Sequence, residues 1–245
     1  MQADLLTLAA LGCHPLSVVT AITVQDTHGV QDVLPIGAAQ VAAQADCLFA
    51  DFAVAAFKLG VLGSAENIAA IAERLNRHSH TPVVLDPVLA SGRGDPLASE
   101  AMLEALRGRL LPRATIVTPN SIEARRLAGE ADDAPLERCA QRLLELGCAN
   151  VLITGTHEVG DEVINTLYDA RGMLRRDRWS RLPGSYHGSG CTLASAIAAR
   201  LARGRGLEQA VREAEEYTWH TLAAGFKPGG GQFIPDRMFA SRESD

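Results

Sequence analysis

The chain has 245 residues, 47% of them hydrophobic and 21% charged, which suits one large α/β domain with a generous core. A net charge of −6 leaves no electrostatic footprint for nucleic acid or an anionic membrane surface, and no stretch approaches the ~20 apolar residues of a membrane span. Five scattered cysteines (Cys13, Cys47, Cys139, Cys148 and Cys191) form no C-x-x-C pair, which argues against a disulfide scaffold or structural zinc and fits a reducing cytoplasm.

In chain order, Met1–Cys13 reads as an amphipathic helix, because it lacks a basic leader, carries Asp4 and has a very short apolar stretch. Strand-length apolar runs follow at Ser17–Val24, Ala56–Leu59, Val83–Asp86, Thr115–Val117 and Val151–Thr154. Three of these are continuous rather than alternating, as in parallel strands buried on both faces. Helical patterns fall between them at Ile36–Asp51, Ala65–Arg77, Ala98–Leu110, Ile122–Ala128 and Leu136–Leu146, the last followed by a terminating Gly147. This alternation predicts a mostly parallel, doubly wound sheet flanked by helices on both faces, in a single domain over residues 1–245. Val163–Trp179 reads instead as an antiparallel hairpin turning at Ala170–Gly172. Helices Ser189–Arg203 and Leu207–Ala224 close the pattern, with a loop from Lys227 onward.

Three segments carry chemistry. In His187-Gly-Ser-Gly-Cys191, two glycines flank a hydroxyl residue just before a long Ala-rich helix. Backbone N–H groups at such a turn, aided by the helix dipole, suit a phosphate or a developing phosphoryl charge. Cys191 stands in the first helical turn, where a thiol pKa is expected to fall, although a small core residue explains it equally well. Asp86 follows an apolar strand in Leu-Asp-Pro-Val, where it can hold Mg²⁺ through water or simply end the strand in an Asp-Pro turn. In Thr118-Pro-Asn120-Ser-Ile-Glu123, the spacing matches a capping box, and equally a polar contact beside a second metal-site acid. All three stand at C-terminal strand ends, where ligands bind in open α/β sheets.

The ordered motifs resemble the hydroxymethylpyrimidine/phosphomethylpyrimidine kinases of the ribokinase superfamily. Gln2-Ala-Asp-Leu, Thr20-Ala-Ile-Thr-Val-Gln25-Asp-Thr-His-Gly-Val30 and Lys58-Leu-Gly-Val61-Leu match the family's pattern. So do Asp86-Pro-Val with Gly94-Asp-Pro-Leu, Thr118-Pro-Asn-Ser-Ile-Glu-Ala and His187-Gly-Ser-Gly-Cys-Thr-Leu. The resemblance implies a ribokinase-like fold and ATP-dependent phosphorylation of 4-amino-5-hydroxymethyl-2-methylpyrimidine and its monophosphate in thiamine biosynthesis. It implies that Gln25, Asp4, Val61 and Lys58 line the pyrimidine site and that Gly188, Ser189 and Gly190 form an anion hole beside Cys191. It further implies ATP contacts at Asn120, Thr154 and Thr156, with Mg²⁺ near Asp86 and Glu123. The partners are then a small-molecule pyrimidine and ATP, in the cytoplasm, with a homodimer compatible.

Three departures from the family pattern follow. Family members place a strand and a D-P-S-G-G-A-G loop before Q-A-D-L, so with Met1-Gln2 at the start the first strand of the sheet is expected to be missing. Thr154 stands where the family has Lys near the phosphates, and Arg93 is the candidate substitute cation. Val61 replaces a Met. Two rivals remain at this level: a pyridoxal kinase on the same scaffold, discriminated by Gln25 and Val61, and a non-catalytic pyrimidine- or nucleotide-binding variant.

Overall fold

The computed structural model describes residues 1–90 and 97–242, so Arg93 and the Gly94-Asp-Pro segment lie outside the described residues. Helix α1 (Gln2–Ala10) is followed by an antiparallel hairpin of β1 (Ala21–Gln25) and β2 (Val30–Pro35). Then come α2 (Ala38–Asp51), β3 (Phe57–Leu59), α3 (Ala65–Asn76), β4 (Val83–Leu85), α4 (Glu100–Ala105), β5 (Ile116–Val117) and α5 (Ser121–Ala128). The remainder is α6 (Leu136–Glu145), β6 (Val151–Thr154), β7 (Glu162–Asp169), β8 (Gly172–Ser180), α7 (Ser189–Ala202), α8 (Leu207–Ala223) and α9 (Phe239–Arg242).

Strands β3 to β8 form one sheet in sequential order. Pairing is parallel from β3 to β6 and antiparallel across β7 and β8, as the change of texture at Val163 predicts. Side chains alternate across the pleat, and both faces are covered. Val83 and Leu85 join a core with Leu103, Leu127 and Leu143 on one side. Val84, Ile116 and Leu152 join Leu193, Ile197 and Val211 on the other. Alanines 194, 196, 198 and 199 are all buried, which lets the backbone of α7 approach the sheet closely. The start of α7 is thereby carried to the C-terminal ends of the parallel strands.

Two expectations are corrected. The run Ser17–Val24 does not enter the main sheet; its C-terminal half pairs with β2, which the pattern does not reveal. Ile22, Val24 and Leu34 of this hairpin are exposed, so neither strand carries a core-facing alternation. Its turn is set locally, because the Asp26 carboxylate accepts from the backbone N–H groups of His28 (2.7 Å) and Gly29 (3.1 Å). The tail is also more than a loop. Phe233 bridges to Tyr186, and Ile234 exchanges two backbone hydrogen bonds with Phe226.

The same tail clasps the hairpin. Gln232 N–H donates to the Thr27 carbonyl (2.8 Å) and Gly231 N–H to the Thr27 hydroxyl (3.1 Å). A Cβ on Gly231 would lie 2.0 Å from the Thr27 carbonyl oxygen, so only glycine fits there. Gly231→Ala is therefore expected to lift the hairpin that carries Gln25. For the pyrimidine and ATP that the resemblance implies, a rise of about tenfold in the pyrimidine KM, with KM for ATP little changed, is the steady-state signature.

Candidate active site

Parallel strands end at one edge of the sheet, and the loops leaving β3, β4, β5 and β6 meet the start of α7 there. They surround a cavity of about 1420 Å³, and all thirteen residues singled out from the sequence line it. At its centre stands Lys58, whose side chain is 6% exposed. Its ammonium lies 2.9 Å from the Asp4 carboxylate and 3.3 Å from that of Asp86. Burial alone would lower the Lys58 pKa, but Cys191 (once ionised), Asp86 and Asp4 hold it above its ordinary value. Burial would likewise raise Asp4, yet Lys58 and the Ser195 hydroxyl, which donates to it at 2.8 Å, pull it below the usual carboxylate range. Lys58 and Asp4 thus stay ionised side by side, and the Met1 ammonium, 3.2 Å from Asp4, adds a second cation to the group.

Gly188 is the N-cap of α7 at φ +80°, a conformation that favours glycine. Its carbonyl accepts from the Thr192 hydroxyl (2.8 Å) and from the Arg237 guanidinium (3.3 Å). Cys191 reverses an expectation. Its thiol is pushed up to about 12, by burial first, while Lys58 pulls the other way and the charges of Asp86 and Asp4 add to the rise. The thiol stands close enough to the Asp86 carboxylate for that charge to act on it. Desolvation and two carboxylates outweigh the helix terminus, so at neutral pH Cys191 is a protonated donor rather than a ready base.

Asn120 and Glu123 form the capping box their spacing allows. The Asn120 side chain accepts from Ile122 and Glu123 N–H, and Glu123 accepts from Asn120 N–H (3.0 Å). The second Glu123 oxygen accepts from Leu89 N–H at 3.3 Å, which ties the acid to the segment after Asp86. Burial, and then the Asp86 charge, push Glu123 up to about 8. The Asp86 oxygen that faces Lys58 is buried and accepts no hydrogen bond. Among the described residues no cluster of three or more potential ligands forms, so this pair suits a cation that brings its own waters and phosphates, as Mg²⁺ does.

Thr154 bridges to Asn120 across the strand ends, and Thr156 follows on an exposed loop. Between them, Gly155 packs so tightly that an added Cβ would lie 2.4 Å from the Ile164 carbonyl. Arg181, which sequence reasoning passed over, pins this loop by donating to the carbonyls of Thr156, Glu158 and Gly160, each at 2.8 Å. Asn67 was missed as well. It is fully buried, and its amide donates to the carbonyls of Thr20, Ile36 and Leu62, tying the base of the β1–β2 hairpin to the Val61 loop. Gln25 and Val61 border the same cavity from the hairpin side.

Behind the loop, α8 presses Glu215 against Asn165 and Asp177, and Asn165 accepts from Gly155 N–H at 3.3 Å. Burial first, and Asp177 second, push Glu215 up to about 8. An acid with a raised folded pKa binds its proton more tightly folded than unfolded, so stability falls as pH rises from about 4.5 through 8. Glu215→Gln removes that loss. The variant is expected to gain roughly 1–4 kcal/mol over the parent at pH 9, and little at pH 4, in urea denaturation.

The description "phosphomethylpyrimidine kinase" belongs to the family model that matches residues 1–236, nearly the whole chain. The chain belongs to that family. It is 42% identical over 237 residues to the hydroxymethylpyrimidine/phosphomethylpyrimidine kinase of Streptomyces coelicolor, covering 94% of this chain and 86% of the relative. Among solved structures, it superposes on pyridoxal kinase of Bacillus subtilis in an ADP complex with a TM-score of 0.89 at 26% identity, covering 97% of this chain and 91% of the other. Phosphomethylpyrimidine kinase of Clostridium difficile gives 0.76 at 33% identity, covering 90% and 92%. The family's mostly parallel sheet, flanked by helices, is the fold described above, and ATP is the family's co-substrate. No helix among the described residues is long and apolar enough to cross a membrane.

Proposed function

We propose that this chain phosphorylates 4-amino-5-hydroxymethyl-2-methylpyrimidine, and then its monophosphate, at the expense of ATP for thiamine biosynthesis. The observation that carries the reading is the convergence of the Lys58–Asp4–Asp86 group with the glycine turn of α7 in one cavity. The pyrimidine lies under the hairpin, where Gln25 can donate to and accept from an aminopyrimidine edge and Val61 offers an apolar wall. Nucleotide phosphates face Asn120, Thr154 and Thr156. Bound with them near Asp86 and Glu123, Mg²⁺ would neutralise charge on the phosphate oxygens.

The acceptor oxygen attacks the γ-phosphorus in line, the bond to the ADP oxygen breaks, and the Gly188–Cys191 amides receive the moving phosphoryl group. The acceptor's proton passes to the Cys191 sulfur while the thiol's own proton moves to Asp86. What supports this relay is a thiol held protonated beside that carboxylate. Five free cysteines among the described residues support a reducing compartment, the cytoplasm.

The TM-score of 0.89 to a pyridoxal kinase favours pyridoxal as a second acceptor. A panel of hydroxymethylpyrimidine, its phosphate and pyridoxal, read by acceptor-dependent ADP release, tests both. The pyrimidine is expected to have the highest kcat/KM. ADP release that no acceptor stimulates would remove the kinase reading.

A further inference from the structure

Arg237 is 6% exposed and lies in the tail that folds back under α7. Its Nε donates to the Thr192 hydroxyl at 2.9 Å, and its two terminal nitrogens donate to the carbonyls of Gly188 (3.3 Å) and Pro235 (3.4 Å). All three acceptors are neutral, and no carboxylate of the described residues lies within 4 Å of the guanidinium. The fork carries five N–H groups, so two stay free after these bonds. A buried cation without a counter-charge is costly, and such charges are ordinarily paired.

The position is held from several sides. The Arg237 carbonyl accepts from the Tyr217 hydroxyl at 2.7 Å, and Asp236 N–H donates to the Thr221 carbonyl at 2.8 Å. A Cβ on Gly188 would lie 2.9 Å from a guanidinium nitrogen, so glycine at that position lets the cation sit against the turn. Guanidinium and turn border the same cavity.

The charge balance across the turn is unfavourable without this residue. Lys58 is shared between Asp4 and Asp86, and the Met1 ammonium is taken up by Asp4 at 3.2 Å, so both of these cations are already engaged where a phosphoryl group must arrive. The α7 amides contribute only partial positive charge. We propose that Arg237 is the cation of this turn, meeting the transferred phosphoryl group together with the Gly188–Cys191 amides. The assignment rests on the kinase reading for what the phosphate belongs to, but not for the binding of phosphate itself.

The test uses inorganic phosphate as the probe, with no pyrimidine or nucleotide present, followed by ³¹P line broadening at low ionic strength. The parent protein is expected to bind phosphate at millimolar concentration. Arg237→Gln, which keeps donors but loses the charge, should weaken binding at least tenfold, as loss of a charge-assisted contact does. Arg237→Lys keeps the charge but loses the fork geometry, and should stay within about threefold of the parent. Should Arg237→Gln unfold, Arg237→Lys decides alone, because a purely tethering role needs the fork. Parent-like binding by Arg237→Gln, loss of binding by Arg237→Lys, or no binding by the parent would each overturn the proposal. Charge-dependent phosphate binding in a protein without kinase activity would sustain it and remove only the kinase reading.

Discussion

Lys58→Met is expected to cost on the order of 3–5 kcal/mol of stability and to leave no measurable phosphoryl transfer. The ammonium is nearly enclosed and lies 2.9 and 3.3 Å from two carboxylates. Removing it leaves Asp86 buried without its cation and Asp4 with only the partly exposed Met1 ammonium (3.2 Å), in surroundings that already press on the neighbouring acid Glu123. One of them must take a proton, and the loss should therefore be smaller at pH 4 than at pH 8. Adding Asp4→Asn removes one of the stranded charges and should recover part of the stability, but not the activity. Urea denaturation of parent, single and double variants gives both numbers. A loss below about 1 kcal/mol at pH 8 would show that water reaches this group freely.

Cys191→Ala is expected to lower kcat by about 10²–10⁴ while KM for ATP stays within a few fold. The thiol is held protonated at neutral pH, and in the proposed reaction it relays a proton between the acceptor hydroxyl and Asp86. Cys191→Ser retains a hydroxyl that can accept one proton and donate another. It should keep kcat within about thirtyfold of the parent. Equal losses in Ala and Ser would indicate that sulfur itself is required, and full activity in Ala would reduce Cys191 to a packing residue. Single-turnover rates separate this chemistry from product release.

How much of this was legible in the chain itself differs between its two halves. From Ala56 to Thr154, continuous apolar runs and amphipathic segments alternate, so strands and helices can be read locally; period and length are properties of neighbours in sequence. Each strand end then carries its own short motif, so the placement of Asp86, Asn120 and Glu123 near one another follows from parallel topology alone. The capping box needed no tertiary information, since both partners lie within four residues.

The rest depended on contacts between distant segments. Strand β2 has no buried face and exists because Asp26 closes a turn and Thr27 is clasped by residues some two hundred positions later. The direction of the Cys191 pKa was decided by Lys58, Asp86 and Asp4, brought together from three separate elements; the helix terminus visible in the sequence argues the opposite way. Arg181, Asn67 and Arg237 carry no motif, being single residues whose partners are mostly backbone carbonyls of other loops. Residue type and spacing determined the family, the sheet and the turn proposed to receive phosphate. Only the folded structure decided the direction of the Cys191 shift and set Arg237 against that turn, because desolvation and Coulomb energy depend on distance in space and not on separation along the chain.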